Sequence, residues 1–364
     1  MMSPMGTPSR QKGTFLMKSQ DFPRRMPVYL LMAGVFFAVS FLTIYLLYRN
    51  FLESRILLDS RLLSFEVIAS LIILLLFYFL TDGMRLYFVV RAMGHHLSFR
   101  FVMKLVFVNI FFSNVTPMAT GGGFVQIYFL SRKNISIGEA TAATSIRTMI
   151  ASLGMLTLTP VFLLLEPDLF DPFRDWNVFL YFAFVAGIYL TVVFLVLFRV
   201  RVFKILLYLT LRFQTRRGML SRRRFRTIFF RFSREIGFFS DGFRQFVKGP
   251  PLYILGAFLS TCFFLMILFS FSVVLIKGLR YDVPALTILA IQAVVTFFMY
   301  FTPTPGAVGF AETAYMLLFS RLISEHDITL LTISWRFLTI YIGVLVGILI
   351  ACRELVRVRP WRSG

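Results

Sequence analysis

The sequence predicts an all-α polytopic membrane protein: six full spans plus two Pro/Gly-broken re-entrant-type hairpins in an inverted repeat. Three observations predict it. The composition is too apolar for a water-soluble fold of this size, the apolar runs have membrane length, and a Thr-Pro motif followed by glycines recurs inside two of them.

Of 364 residues, 58% are hydrophobic and 15% charged, a balance that a lipid environment accommodates and water does not. At 1.5 Å per helical residue, about 20 apolar residues cross a hydrocarbon core roughly 30 Å thick. Six runs satisfy this: Met26–Tyr48, Leu62–Leu80, Ile137–Leu165, Val178–Phe198, Leu252–Ile276 and Leu330–Ala351. Two further apolar regions, Phe99–Leu130 and Ala285–Phe319, are interrupted in the middle by Thr, Pro and Gly, so each is expected to fold as a hairpin.

The polar stretch Met1–Arg25 is too long for a cleavable signal, and the run after it is too long for an h-region. Residues 1–25 are therefore expected to form a cytoplasmic tail, with Met17 as a second candidate start. Between Arg199 and Lys248 stand fourteen basic residues against Glu235 and Asp241. The preceding connection holds Glu166, Asp168, Asp171 and Asp175 against Arg174. By the positive-inside rule the first is cytoplasmic and the second exterior.

Propagating that assignment puts Arg24, Arg25, Arg132, Lys133 and the tail with Arg353, Arg357, Arg359 and Arg362 inside. The expectation is a multi-pass protein of the cytoplasmic (inner) cell membrane with both termini cytoplasmic. The first hairpin opens to the cytoplasm and the second to the exterior. The domain plan is one membrane domain, 26–352, with repeat 1 at about 99–165, repeat 2 at about 285–351, a basic amphipathic cytoplasmic loop at 199–249 and a basic tail at 353–364. In that loop arginine interleaves with Phe, Leu and Ile, which suits an interfacial helix on anionic lipid and equally a topology-setting loop.

The repeat is legible by alignment. Phe111-Phe112 lies over Phe297-Phe298, Thr116-Pro117 over Thr302-Pro303, Gly123-Phe124 over Gly309-Phe310 and Gln126 over Glu312. After a three-residue offset, Ser131-Arg132 lies over Ser320-Arg321, Ser145 over Ser334, Arg147 over Arg336 and Gly154 over Gly343. At the tips, Pro117, Pro303 and Pro305 remove helical donors, while Gly121, Gly122, Gly123, Gly306 and Gly309 permit unusual dihedrals. Broken backbone at membrane depth must be buried in protein or line a wet cavity, and inverted-repeat transporters bind substrate there. Close helix packing at glycine is the alternative.

Arg147 sits ten residues into its span, about 15 Å deep, where an unpaired cation costs roughly 2.5–3.5 kcal/mol on insertion scales. Arg336 occupies the matching position. The candidate counter-charge is Glu312, with Gln126 as its uncharged equivalent. Two expectations follow and both stand: the arginines bind an anionic head group such as phosphate through forked donors, or each ties a hairpin tip to its helix. Substrate contact is expected at Arg147, Arg336, Glu312, Gln126, Thr116 and Thr302. Asp82 and Arg85, at the inner end of the second span, are placed to pair on one face. Glu66 is near enough to its helix end to be wetted.

Cys262 and Cys352 lack metal-ligand or redox spacing and are expected in the core. His95, His96 and His326 are expected in solvated loops, with no carboxylate or cysteine at metal-ligand spacing. No catalytic motif, metal site, cofactor site or nucleic-acid pattern is present in the sequence.

The chain resembles the transmembrane, flippase-like domain of the lysylphosphatidylglycerol synthase proteins, a broad family of prokaryotic membrane proteins, over roughly Leu62 to Arg353. The matching stretches are Asn114-Val-Thr-Pro-Met-Ala-Thr-Gly-Gly-Gly123, running on to Gln126 and Tyr128, and Thr302-Pro-Thr-Pro-Gly-Ala-Val-Gly-Phe-Ala-Glu312. The resemblance implies a flippase or scramblase-like transporter that moves an anionic or aminoacylated phospholipid, or a polyprenyl-linked lipid, between leaflets. It carries over the two Pro-Gly tips, Glu312, Arg147 and Arg336. Many relatives carry a charge where this chain has Gln126. Because the chain stops at Gly364 without the soluble aminoacyl-transferase domain of the bifunctional relatives, it is not expected to make lysylphosphatidylglycerol.

Membrane lipids are the expected partners, with a second copy or a lipid-pathway enzyme also compatible. Two alternatives are carried forward: an accessory membrane subunit of a lipid or glycan pathway, and an intramembrane head-group transferase using Glu312 as general base.

Overall fold

The computed structural model describes residues 59–116, 119–166, 222–300, 302 and 304–356, with isolated positions at 34, 38, 184, 187–191, 205, 208–213 and 215. The expected spans Met26–Tyr48 and Val178–Phe198, both terminal tails, Pro117 and Pro303 fall outside the described residues.

All described regular structure is helical. In chain order the α-helices are α1 (Phe65–Ala92), α2 (Phe99–Val115), α3 (Thr120–Ser131), α4 (Ile137–Leu165), α5 (Arg222–Val247), α6 (Pro251–Gly278), α7 (Ala285–Tyr300), α8 (Phe310–Phe319), α9 (Glu325–Arg336) and α10 (Ile342–Val356). Among the described residues, four helices are long and apolar enough to cross a membrane: α1, α4, α6 and the rod Glu325–Glu354 formed by α9 and α10. The protein is a multi-pass membrane protein.

Local sequence sets the ends. Ser136 caps α4 by accepting from the Glu139 amide at 3.1 Å while Glu139 Oε2 accepts from the Ser136 amide, a reciprocal capping box. Ser324 caps α9 by accepting from the Asp327 amide at 3.3 Å, without the reciprocal bond. Pro251 opens α6 at a position where the missing N–H is harmless.

Ile137–Leu165 has the expected bounds. The second span does not end at Leu80: α1 runs on through Asp82 and Arg85 to Ala92, because both charges are buried against other helices and never meet lipid. The last span is one rod only across a π-helical turn, Phe337–Tyr341, directly after Arg336. Such turns widen a helix where a side chain needs room. Cys262 is exposed on α6 and Cys352 half-buried, so neither belongs to the inner core: the exposed face of α6 also carries Leu255, Phe258, Leu259 and Phe263, as lipid contact requires. His326 lies in the first turn of α9 and not in a loop.

The alignment offset that matches Phe111 with Phe297 also matches the ends of whole helices: Phe65 with Pro251, Ala92 with Gly278 and Phe99 with Ala285. The two 28-residue helices α1 and α6 pack antiparallel. Gly278, at the end of α6, meets Val67 and Leu62 near the start of α1, and Gly256 meets Phe88 near its end. At the crossing, Tyr78 stacks on Phe264 with ring centroids 5.1 Å apart, and these two residues are alignment counterparts.

Small residues bring the remaining helices together, as membrane interfaces favour. Gly347 of α10 abuts the Phe107 carbonyl of α2, and Gly154 of α4 faces Leu265 of α6. The basic helix α5 is docked on protein: Gly138 of α4 lies against Glu235, Phe238 and Phe239, and Gly242 lies against Ala142. Glu235 Oε2 accepts from the Gly138 amide at 3.0 Å, satisfying an orphan donor in the first turn of α4.

Candidate functional site

In both interrupted regions the first helix ends just ahead of the Thr-Pro pair, α2 at Val115 and α7 at Tyr300. In the first, Thr116 Oγ1 donates to the Phe112 carbonyl at 2.7 Å and accepts from the Gly121 amide at 2.8 Å, closing the tip on itself. Its counterpart Thr302 donates to the Phe298 carbonyl at 3.0 Å. A side chain at Gly122 would overlap Ser113 and Asn109, so this glycine lets α3 lie against α2, whereas Gly123 faces open space. In the second region Gly306 (φ +57°) and Gly309 (φ +86°) occupy dihedrals that favour glycine, and Pro305 opens a short 3₁₀ turn, Pro305–Ala307, that packs against α2.

The two buried arginines are brought to different partners. Arg336 is fully buried; its Nε donates to Glu312 Oε1 at 2.7 Å and its Nη2 to the Gly306 carbonyl at 2.9 Å. Glu312, equally buried, uses Oε2 to accept from the Gly309 amide at 2.8 Å. Pair, tip and helix form one unit whose charges cancel, although Arg336 Nη1 finds no hydrogen-bond acceptor among the described residues. The general base that a transferase would need thus has both carboxylate oxygens committed.

Arg147 is not held by its own hairpin. Its Nη2 donates to Asp82 Oδ1 on α1 at 2.5 Å, and the same oxygen accepts from Arg85 Nη1 at 2.9 Å. Asp82, Arg85 and Arg147 are 4%, 5% and 9% exposed. The Arg85 guanidinium lies 4.2 Å from the ring centre of Phe264, a cation–π contact with α6. One carboxylate therefore serves two guanidiniums and, among the described residues, leaves an excess positive charge. The Nε groups of Arg85 and Arg147 are buried and have no hydrogen-bond acceptor among the described residues. Tyr78 and Tyr300 lie within electrostatic reach of all three charged groups. Tyr300 ends α7, just before the second tip, so the cluster lies where α1, α4 and the entry to that tip converge.

Glu312 pairs with Arg336, as the alignment anticipates. Gln126, the neutral counterpart of Glu312, is buried with no partner for Nε2 among the described residues and cannot compensate a cation, so Arg147 takes Asp82 instead. Asp82 and Arg85 do pair at i and i+3. Ending the span at Leu80 hid their depth; the signal that reveals it is the apolar stretch Leu86 to Val90 beyond them, also buried at Leu86, Val89 and Val90. Arg85, Asp82, Tyr78 and Tyr300 are the site residues that spacing alone did not single out as partners of Arg147. Glu66 lies in the exposed first turn of α1.

The sequence model of the family described as "Lysylphosphatidylglycerol synthase TM region" matches residues 31–347. The chain belongs to that family. No curated protein matches it.

Proposed function

We propose that this member of the lysylphosphatidylglycerol synthase transmembrane-region family moves a phosphate-bearing anionic lipid between leaflets, with Arg147 and Arg85 holding the head group and the acyl chains remaining in the bilayer. The observation that carries the proposal is the uneven charge of the central cluster. Two guanidiniums at membrane depth share one aspartate oxygen, and each has an Nε donor without an acceptor among the described residues. Burying an uncompensated cation is costly unless a ligand anion supplies the missing charge, and guanidinium is the side chain best matched to phosphate.

The transport frame is an inverted repeat whose equivalent helices α1 and α6 cross antiparallel, with the cluster close to that crossing. Arg336 and Glu312 form the rigid counterpart: a neutral clamp that fixes the second tip beside the cluster. Thr116 and Thr302 set the breaks in the two hairpins. Aminoacylated phosphatidylglycerol and polyprenyl-linked lipids share the phosphodiester or diphosphate chemistry and belong to the same class of cargo.

The test is leaflet exchange in vesicles. Purified protein reconstituted with fluorescent phosphatidylglycerol should accelerate loss of signal to a membrane-impermeant quencher relative to empty vesicles, and Arg147→Gln should abolish the acceleration. Exchange equal to empty vesicles, or full exchange in the Arg85→Gln/Arg147→Gln double variant, overturns the proposal.

A further inference from the structure

The equivalence of α1 and α6 extends into the turns that end them. After α1, the Gly94 amide donates to the Arg91 carbonyl at 3.0 Å and the His95 amide to Val90 at 3.1 Å. After α6, the Arg280 amide donates to Lys277 at 2.9 Å and the Tyr281 amide to Ile276 at 3.3 Å. Both are Schellman turns. The left-handed position is Gly94 in one (φ +83°) and Arg280 in the other (φ +65°); Arg280 accepts a conformation that glycine would adopt more readily.

The residue after each left-handed turn, His95 or Tyr281, points at the capped start of the helix that follows its own hairpin. Because α1 and α6 are antiparallel, these two contacts lie at opposite ends of the bundle.

They are not in the same state. At the Tyr281 end, Tyr281 Oη donates to Asp327 Oδ2 at 2.7 Å, lies 2.8 Å from Ser324 Oγ and accepts from the Ser324 amide at 3.2 Å. Arg61, in the 3₁₀ turn before α1, reinforces this end by donating to the Leu279 carbonyl at 2.7 Å and standing 3.8 Å from Asp327. At the other end, His95 Nε2 stands 3.8 Å from Glu139 Oε2, an ion-pair distance beyond hydrogen-bond length, and among the described residues it has no hydrogen-bond partner. Glu139 is turned instead to its own cap, accepting from the Ser136 hydroxyl at 2.8 Å. The alignment counterpart of Arg61 is Val247, which has no charge to contribute.

We infer that Tyr281–Ser324–Asp327 and His95–Glu139 are matched latches at the two ends of the transport path, and that closing one opens the other. The structure holds the state with the Tyr281 latch fastened and the His95 latch released. The coupling is mechanical. Helices α1 and α6 touch at both ends, through Gly256 with Phe88 and Gly278 with Val67, as well as at Tyr78 and Phe264, so they tilt as one body: a tilt that brings the His95 end towards α4 carries the Tyr281 end away from α9, as inverted-repeat transporters rock around a central site. The gate identity deepens the transport proposal and rests on it, but its test contains no transport step.

Hydrogen exchange read by mass spectrometry on the purified full chain reports both ends at once. His95→Tyr gives the released end the same hydroxyl as the fastened one. It should slow amide exchange at 136–140 by about fivefold, the effect of one net hydrogen bond, and speed exchange at 324–328 by a similar factor. Tyr281→Phe and, as a second route that keeps the ring, Asp327→Asn should do the reverse. Changes confined to the substituted end, or none at either end, overturn the coupled latch. If the reciprocal changes appear while lipid exchange in vesicles is absent, the latch stands and the transport proposal falls.

Discussion

Tyr78 of α1 stacks on Phe264 of α6 at 5.1 Å, and each is the alignment counterpart of the other. The neighbouring contacts repeat this relation across the crossing: Tyr78 meets the edge of Phe271 at 5.9 Å, while Arg85, the counterpart of Phe271, lies over Phe264. Where one half of the protein uses phenylalanine, the other uses arginine. The pseudo-symmetric scaffold thus carries an asymmetric charge at its centre, since Leu268 occupies the place of Asp82.

The central cluster should respond unequally to loss of its members. Asp82→Asn leaves two buried guanidiniums uncompensated and is expected to cost about 3–5 kcal/mol. Arg147→Gln leaves the neutral Asp82–Arg85 pair and is expected to cost clearly less while stopping lipid exchange. Unfolding in detergent by denaturant titration measures the order; equal losses contradict it.

The Arg336–Glu312 pair is enclosed, with both side chains at 0% exposure. Replacing either alone by a leucine strands the other charge, at about 3–5 kcal/mol, and the double leucine variant should recover most of that loss. A double-mutant cycle on thermal unfolding measures the recovery. Additive losses would show that the two groups do not act as a unit.

Docking of α5 rests on absent side chains. Alanine at Gly138 would overlap the Glu235 carbonyl oxygen, so Gly138→Ala is expected to cost roughly 1–3 kcal/mol by overpacking and to expose α5 to limited proteolysis. Gly237, on α5 itself, faces open space, and Gly237→Ala should be neutral or stabilising by up to about 1 kcal/mol through helix propensity.

At the Tyr281 end, hydrogen bonds from the Arg61 side chain and backbone hold the Asp59 carboxyl below its ordinary value of 3.8. A carboxyl depressed on folding contributes stability that is complete above the unfolded value and is lost as pH falls below it. Protection of amides 279–283 should therefore hold through neutral pH and weaken as pH drops below about 4. Asp59→Asn should flatten that dependence. A loss beginning near pH 6 would point to another group.

Much of the architecture was legible from local rules. The bounds of α4 follow from Ser136, Glu139 and the apolar run after them, and the pairing of Glu312 with Arg336 follows from charge and alignment. The partner of Arg147 was not legible. It lies 65 residues away, on a helix whose apparent end was drawn at the very charges that form the site. Hydropathy scores each residue against lipid, and Asp82 and Arg85 never face lipid.

By itself the sequence determined the membrane class, the family resemblance, the duplicated breaks and one buried arginine in each repeat, because apolar length, Pro and Gly chemistry and self-alignment are properties of the chain taken locally. Only the tertiary structure decided which arginine is neutralised and which retains excess charge. A buried cation takes the nearest carboxylate in space, and that proximity is created by helices crossing, which no spacing along the chain encodes.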